Sequence, residues 1–196
     1  PTEGWKSHDP WPGLARILAV AGEKDGSLYL FSGAELYEGD DGKVTRRFLK
    51  DAYRYTPSKD HTPGTTGAWK KLANMPHATV AAPSPELAIV GGDDGENFFK
   101  QAELKDAHPG FRPDVLCYHT VTDTWIVRGR FPKNLGPNPG DDPNAGYWPV
   151  VTTPTVQWRG MTIFATGEVR PGVRTPRVHG TAQEIVRRQF GTLNWL

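Results

Sequence analysis

"DVLCYHTVTDTWIVRGRFP", residues 114–132, sets out an Asp, three residues, a Tyr, and later a Trp, six residues and a Pro. The same frame runs through "DAYRYTPSKDHTPGTTGAWKKLANMP" at 51–76, where Asp51, Tyr55, Trp69 and Pro76 match Asp114, Tyr118, Trp125 and Pro132. Trp follows Tyr by fourteen positions in the first copy and by seven in the second, and reading "HTPGTTG" (61–67) as a loop insertion restores register. An apolar stretch ending in small residues precedes each copy: "SLYLFSG" at 27–33 and "ELAIVGG" at 86–92. A third such stretch, "MTIFATG", lies at 161–167 behind "TPTVQWRG" at 153–160. Self-similarity of this kind marks stacked copies of one supersecondary unit.

A strand closed by paired small residues, then a Tyr strand, then a Trp strand is the pattern of a kelch-type β-propeller blade. Glycine at the strand end lets the backbone turn sharply near the crowded axis, and the aromatic rings fill the widening space between blades. The Thr-Asp pair in "YHTVTDTW" supplies turn chemistry between two antiparallel strands. The sequence therefore predicts an all-β chain of about two and a half blades over 1–178. Some other antiparallel sheet is the alternative. Closed propellers have about four to eight blades, so this count predicts an incomplete propeller with open edges.

Composition agrees. Gly 22 and Pro 18 among 196 residues favour strands joined by turns over helices. A net charge of +1 gives no field that would draw nucleic acid. The single Cys117 has no internal disulfide partner and reads as a buried strand residue. His8, His61, His77, His108, His119 and His179 show no metal-ligand spacing and read as loop or surface residues, so no metal is expected. The first residue is proline, which reads as a cut terminus. Residues 179–196 read as a linker and the start of a membrane span, because the closing "FGTLNWL" is apolar but much shorter than the roughly 20 residues a span needs.

Charge concentrates on one stiff loop, "GEVRPGVRTP" at 167–176. Glu168 follows an inner strand, which points it toward the central face where loops build sites. Pro171 and Pro176 restrict the backbone while Gly172 permits a reversal, so Glu168, Arg170 and Arg174 can face one small volume. A carboxylate acts as a base in its charged form, which neighbouring guanidinium groups favour. An arginine also takes a carboxylate through two parallel hydrogen bonds. A structural ion pair on a loop explains the same residues without function.

The stretches "WPGLARILAVAG", "LYLFSGAEL", "DAYRYTP", "VAAPSP", "GGDDG", "HPGF" and "GEVRPGVRTP" together resemble the cyclically permuted kelch mutarotases, the N-acetylneuraminate epimerases, across roughly 11–178. The resemblance implies a cofactor-independent isomerase acting on sialic acid or a related sugar acid. It implies Glu168 as the catalytic carboxylate, with Arg174 beside it in the catalytic pair and, together with Arg170, holding the substrate carboxylate. Asp93 in "GGDDG" is a further candidate for the cavity, with an Asp-Gly turn as its other reading. Arg16 and Glu35 lie beside inner strands and are candidates for the pocket lining. "FGTLNWL" resembles the junction at which some relatives continue into a sodium:solute symporter. That implies a periplasmic or extracellular site tethered through a transporter. A non-catalytic kelch module binding a ligand or protein is the other functional reading.

Overall fold

A computed structural model of the chain describes residues 4, 7–58, 67–131, 142 and 146–182. Its strands gather into three antiparallel sheets set side by side and one two-stranded hairpin. The first sheet takes β1 (Val20–Lys24), β2 (Ser27–Phe31), β5 (Ala52–Thr56) and β6 (Ala68–Leu72), in that order. Between β2 and β5 the chain makes the hairpin of β3 (Ala34–Glu38) and β4 (Val44–Phe48). The second sheet holds β7 (Ala88–Val90), β8 (Asp114–His119) and β9 (Thr124–Arg130), with a short helical excursion over 98–107 between β7 and β8. The third holds β10 (Thr155–Trp158), β11 (Met161–Arg170) and β12 (Val173–Ala182). This is the all-β, incomplete propeller that the repeat predicts. The third sheet goes one step further than the sequence does, because β12 supplies a strand that the Tyr and Trp frame does not mark.

The repeated aromatic residues make matching contacts. Tyr55 and Trp69 pack with centroids 5.1 Å apart at 48°, and Tyr118 and Trp125 at 5.1 Å and 49°. Trp125 Nε1 donates to the Ala73 carbonyl at 2.9 Å, and Trp69 Nε1 donates to the Asp9 carbonyl at 2.9 Å. Each indole thus binds the segment preceding its own sheet. Asp9 stands three residues before Pro12 as Ala73 stands before Pro76, and Trp5 to Pro12 repeats the Trp, six residues, Pro spacing. That third occurrence of the frame is legible in the sequence once the structure draws attention to it. Asp123 ties the turn together: its Oδ1 accepts from Tyr118 Oη at 2.7 Å and from the Ala73 N–H at 2.8 Å.

Alternation along the strands builds two cores, one on each face of the middle sheet. Leu87, Ile89, Leu116 and Tyr118 point toward the first sheet, where they meet Val20, Tyr29 and Phe31. Ala88, Val90, Val115 and Cys117 point the other way, onto Phe164 and Val169 of the third and onto Trp148 and Val150 of the segment preceding it. A sheet covered on both faces needs apolar residues at consecutive positions, which is why β8 is buried from Asp114 through Tyr118. The third sheet leaves Val156, Trp158 and Val178 exposed. One histidine departs from the loop or surface reading: His179 lies on β12 and is buried, whereas His108, though buried, is in a loop as expected.

Candidate functional site

The three sheets converge through one repeated backbone device. Ser32-Gly33, Gly91-Gly92 and Thr166-Gly167 all have positive φ, and the next residues, Ala34, Asp93 and Glu168, form isolated bridges to Ile17, Val80 and Val151. Each bridge partner is followed by another positive-φ residue: Leu18, Ala81 and Thr152. These three are linked in series, since the Ala81 N–H donates to the Leu18 carbonyl at 3.0 Å and the Thr152 N–H to the Ala81 carbonyl at 2.9 Å. Asp93 and Glu168 therefore occupy the same position in adjacent sheets, beside the central axis. Glycine is demanded there by space as well as by φ. A Cβ on Gly92 would sit 2.8 Å from the Thr79 Cα, and one on Gly167 2.9 Å from the Val150 Cβ.

Against this backbone lies a cleft of about 340 Å³ whose lining includes Glu168, Asp93, Arg46, Phe98, Gln101 and Gly172. Glu168 Oε1 accepts from the Gly172 N–H at 2.9 Å, so the Pro171-Gly172 turn holds the carboxylate that precedes it. Glu168 and Arg174 are cross-strand partners, and Arg174 Nη2 lies 3.6 Å from Glu168 Oε2. Arg174 Nη1 also donates to Thr152 Oγ1 at 3.2 Å, but Arg174 is largely exposed and does not itself line the cleft. Asp93 both faces the cleft and makes the turn expected of it, its Oδ1 accepting from the Gly95 N–H at 2.9 Å. Burial pushes the Asp93 carboxyl above the usual carboxylate range, and the negative charges of Asp94 and Glu168 add to the effect. The Gly95 N–H and Arg46 act in the opposite direction.

The remaining predicted residues are engaged elsewhere. Arg170 is buried and clamps the helical excursion, donating to the Lys105 carbonyl at 2.8 Å and to Asp106 Oδ1 at 2.5 Å. Arg16 donates to both oxygens of Asp51, at 2.5 and 2.8 Å, and to the Ser32 carbonyl at 2.9 Å, with its guanidinium 4.7 Å from the centre of the Trp11 ring. Glu35 pairs with Arg47 at 3.1 Å across the hairpin. Neither Arg16, Glu35 nor Arg170 lines the cleft. Arg46, Gln101 and Phe98 do line it, and the sequence reading passes over all three. Alternation on β4 separates Arg47, turned to Glu35, from Arg46, turned to the cleft, but no spacing signal ties Arg46 to Glu168 more than a hundred positions away.

Among the described residues no group of three or more His, Cys, Asp or Glu is disposed to hold a metal ion, and no helix is long and apolar enough to cross a membrane. The "FGTLNWL" stretch lies outside the described residues.

No protein-family profile matches the chain. It is similar to proteins named N-acetylneuraminate epimerase: 29% identical to that of Haemophilus influenzae (strain PittEE) over 91% of this chain and 48% of the relative. To that of Yersinia enterocolitica it is 27% identical, over 90% of this chain and 46% of the relative. The chain thus spans about half the length of the curated relatives it matches. Among solved structures it resembles that of YjhT, with a TM-score of 0.64 and 21% identity over 92% of this chain and 53% of the other. The latter likeness supports the kelch propeller fold.

Proposed function

We propose that the cleft around Glu168 interconverts the anomers of sialic acid or a closely related sugar acid. The observation that carries the reading is the placement of Glu168. It stands beside the axis, anchored by the Gly172 N–H and flanked by Arg174, on the stretch that resembles the epimerases' own.

In the reaction Glu168 takes the proton of the anomeric hydroxyl, the anomeric carbon becomes a carbonyl as its bond to the ring oxygen breaks, and the ring oxygen takes a proton. Asp93 is suited to give that proton, because burial keeps its carboxyl protonated to higher pH than an ordinary aspartate. The open keto form then rotates about the bond to the carbonyl carbon. On reclosure the chain hydroxyl attacks the other face, returns its proton to Asp93, and the carbonyl oxygen recovers its proton from Glu168. Bonds and protons balance, with no oxidation or reduction. Arg174 holds the Glu168 carboxylate toward the cleft, whereas Arg170, committed to Asp106, serves the loop architecture. We further propose that the reaction serves uptake on the periplasmic or extracellular face, ahead of a sodium:solute symporter, a reading supported by the "FGTLNWL" resemblance alone.

One-dimensional proton NMR of freshly dissolved N-acetylneuraminate tests the reading with the full polypeptide. The wild type should accelerate approach to anomeric equilibrium, and Glu168→Gln should lose about 10²- to 10⁴-fold of that acceleration, the usual contribution of a positioned base. Binding of the sugar with no acceleration would instead favour a non-catalytic kelch module.

A further inference from the structure

A sugar-acid anion entering this cleft meets two acidic side chains, Asp93 and Glu168, so its carboxylate needs a cation close at hand. Most arginines near the central face are already engaged. Arg16 is held by Asp51, Arg112 by Asp94 and Asp114, Arg170 by Asp106, and Arg174, outside the cleft lining, is turned to Glu168 and Thr152. Arg46 is different. It lines the cleft, it is half-buried, and no carboxylate among the described residues lies within ion-pair distance of it.

Its position is built, not incidental. Arg46 and Phe48 project from the same side of β4, and Phe48 packs on Phe98 with centroids 5.5 Å apart. Gly95 fits beneath that ring so closely that a Cβ there would lie 2.4 Å from Phe48 Cγ. The hairpin is thereby docked onto the second sheet's loop, with the Arg46 guanidinium 5.0 Å from the centre of the Phe98 ring. A guanidinium stacked on an aromatic face keeps its N–H edges free for a planar, bidentate partner.

We propose that Arg46, carried into the cleft by hairpin β3–β4, is the cation that takes the substrate carboxylate and so selects sugar acids over neutral sugars. The assignment rests on the mutarotase reading of the Glu168 cleft. It makes the hairpin inserted between β2 and β5 a specificity element of a site whose proton chemistry is supplied by the second and third sheets.

The test compares N-acetylneuraminate with its methyl ester, which has the same ring and anomeric centre but no negative charge, on the full polypeptide. Charge-assisted hydrogen bonds of this kind correspond to roughly 10- to 100-fold in affinity. Arg46→Gln should raise KM for the acid by that factor and cut the acid-over-ester ratio of kcat/KM by the same amount, while ester turnover still above the spontaneous rate shows that the variant is folded. Arg46→Lys should fall between the two, having charge without the planar fork. An Arg46→Gln enzyme that keeps the wild-type preference for acid over ester would overturn the assignment while leaving the mutarotase reading standing. A wild type that accelerates neither compound would overturn the reading itself.

Discussion

Replacing Gly167 by alanine should damage stability and site together. Gly167 has φ 127°, a region that residues with a side chain rarely adopt, and an added methyl would sit 2.9 Å from Val150 Cβ and 3.0 Å from the Val151 carbonyl oxygen. The backbone strain is of order 1–3 kcal/mol. Forcing an extra methyl against the packed Val150-Val151 segment costs about 1–3 kcal/mol more. The sum, about 2–6 kcal/mol, is a large share of the roughly 5–15 kcal/mol that holds a domain folded. Gly160, in the turn between β10 and β11, is the control: its φ is 77° but no atom lies within 4 Å of where its Cβ would be. Gly160→Ala should therefore show the conformational cost alone, about 1–2 kcal/mol. Urea denaturation of the three proteins measures the difference, and mutarotation measures whether Glu168, the next residue, has moved. Equal losses for the two variants would refute the argument that the closeness of Val150 and Val151, and not φ alone, fixes glycine at the head of the site.

Three further outcomes follow from charge and burial. Asp51→Asn should destabilise by about 2–4 kcal/mol at neutral pH, because it leaves the fully buried Arg16 guanidinium without its carboxylate. Burial raises the Asp51 carboxyl, but the hydrogen bonds and charge of Arg16 outweigh it and the net shift is downward. That stabilisation is present above the unfolded carboxyl's value of about 3.9 and is lost as pH falls through the lower folded value, so acid denaturation of the variant should be shallower. Asp93→Asn should do the reverse. With its folded carboxyl raised by burial, the penalty of ionising Asp93 develops as pH rises from the unfolded value through the folded one, so the variant should gain stability at pH 7 relative to pH 3 while losing mutarotase turnover. Cys117, fully buried on β8 with its thiol pushed up to about 11 by burial, should resist alkylation by iodoacetamide at pH 8 and react once the protein is unfolded in urea.

The repeat frame at 51–76 and 114–132 was enough to determine an all-β chain of propeller blades, because a blade's pattern is local. Alternation along a strand, a small pair at its end and an aromatic on each of the next two strands all lie within a few tens of residues. The same locality made Glu168 legible, although the stretch read as a stiff loop is a β-hairpin: Glu168 lies on β11 and Arg174 on β12, and only Pro171 and Gly172 make the turn between them. It also gave Arg174, the partner of Glu168 across the β11–β12 turn.

The rest of the cleft was decided by distance in space. Whether an arginine is a structural clamp or a cleft-facing cation depends on which acceptor it meets across the fold. Arg16 meets Asp51, Arg170 meets Lys105 and Asp106, and Arg46 meets no carboxylate but rests on the Phe98 ring. Those encounters join different sheets and loops, so no spacing in the chain encodes them. The pairing of Asp93 with Glu168 is of the same kind. Asp93 follows β7 and Glu168 lies within β11, and the hydrogen bonds that run from Leu18 through Ala81 to Thr152 tie together the segments that bridge to them, so both line one cleft.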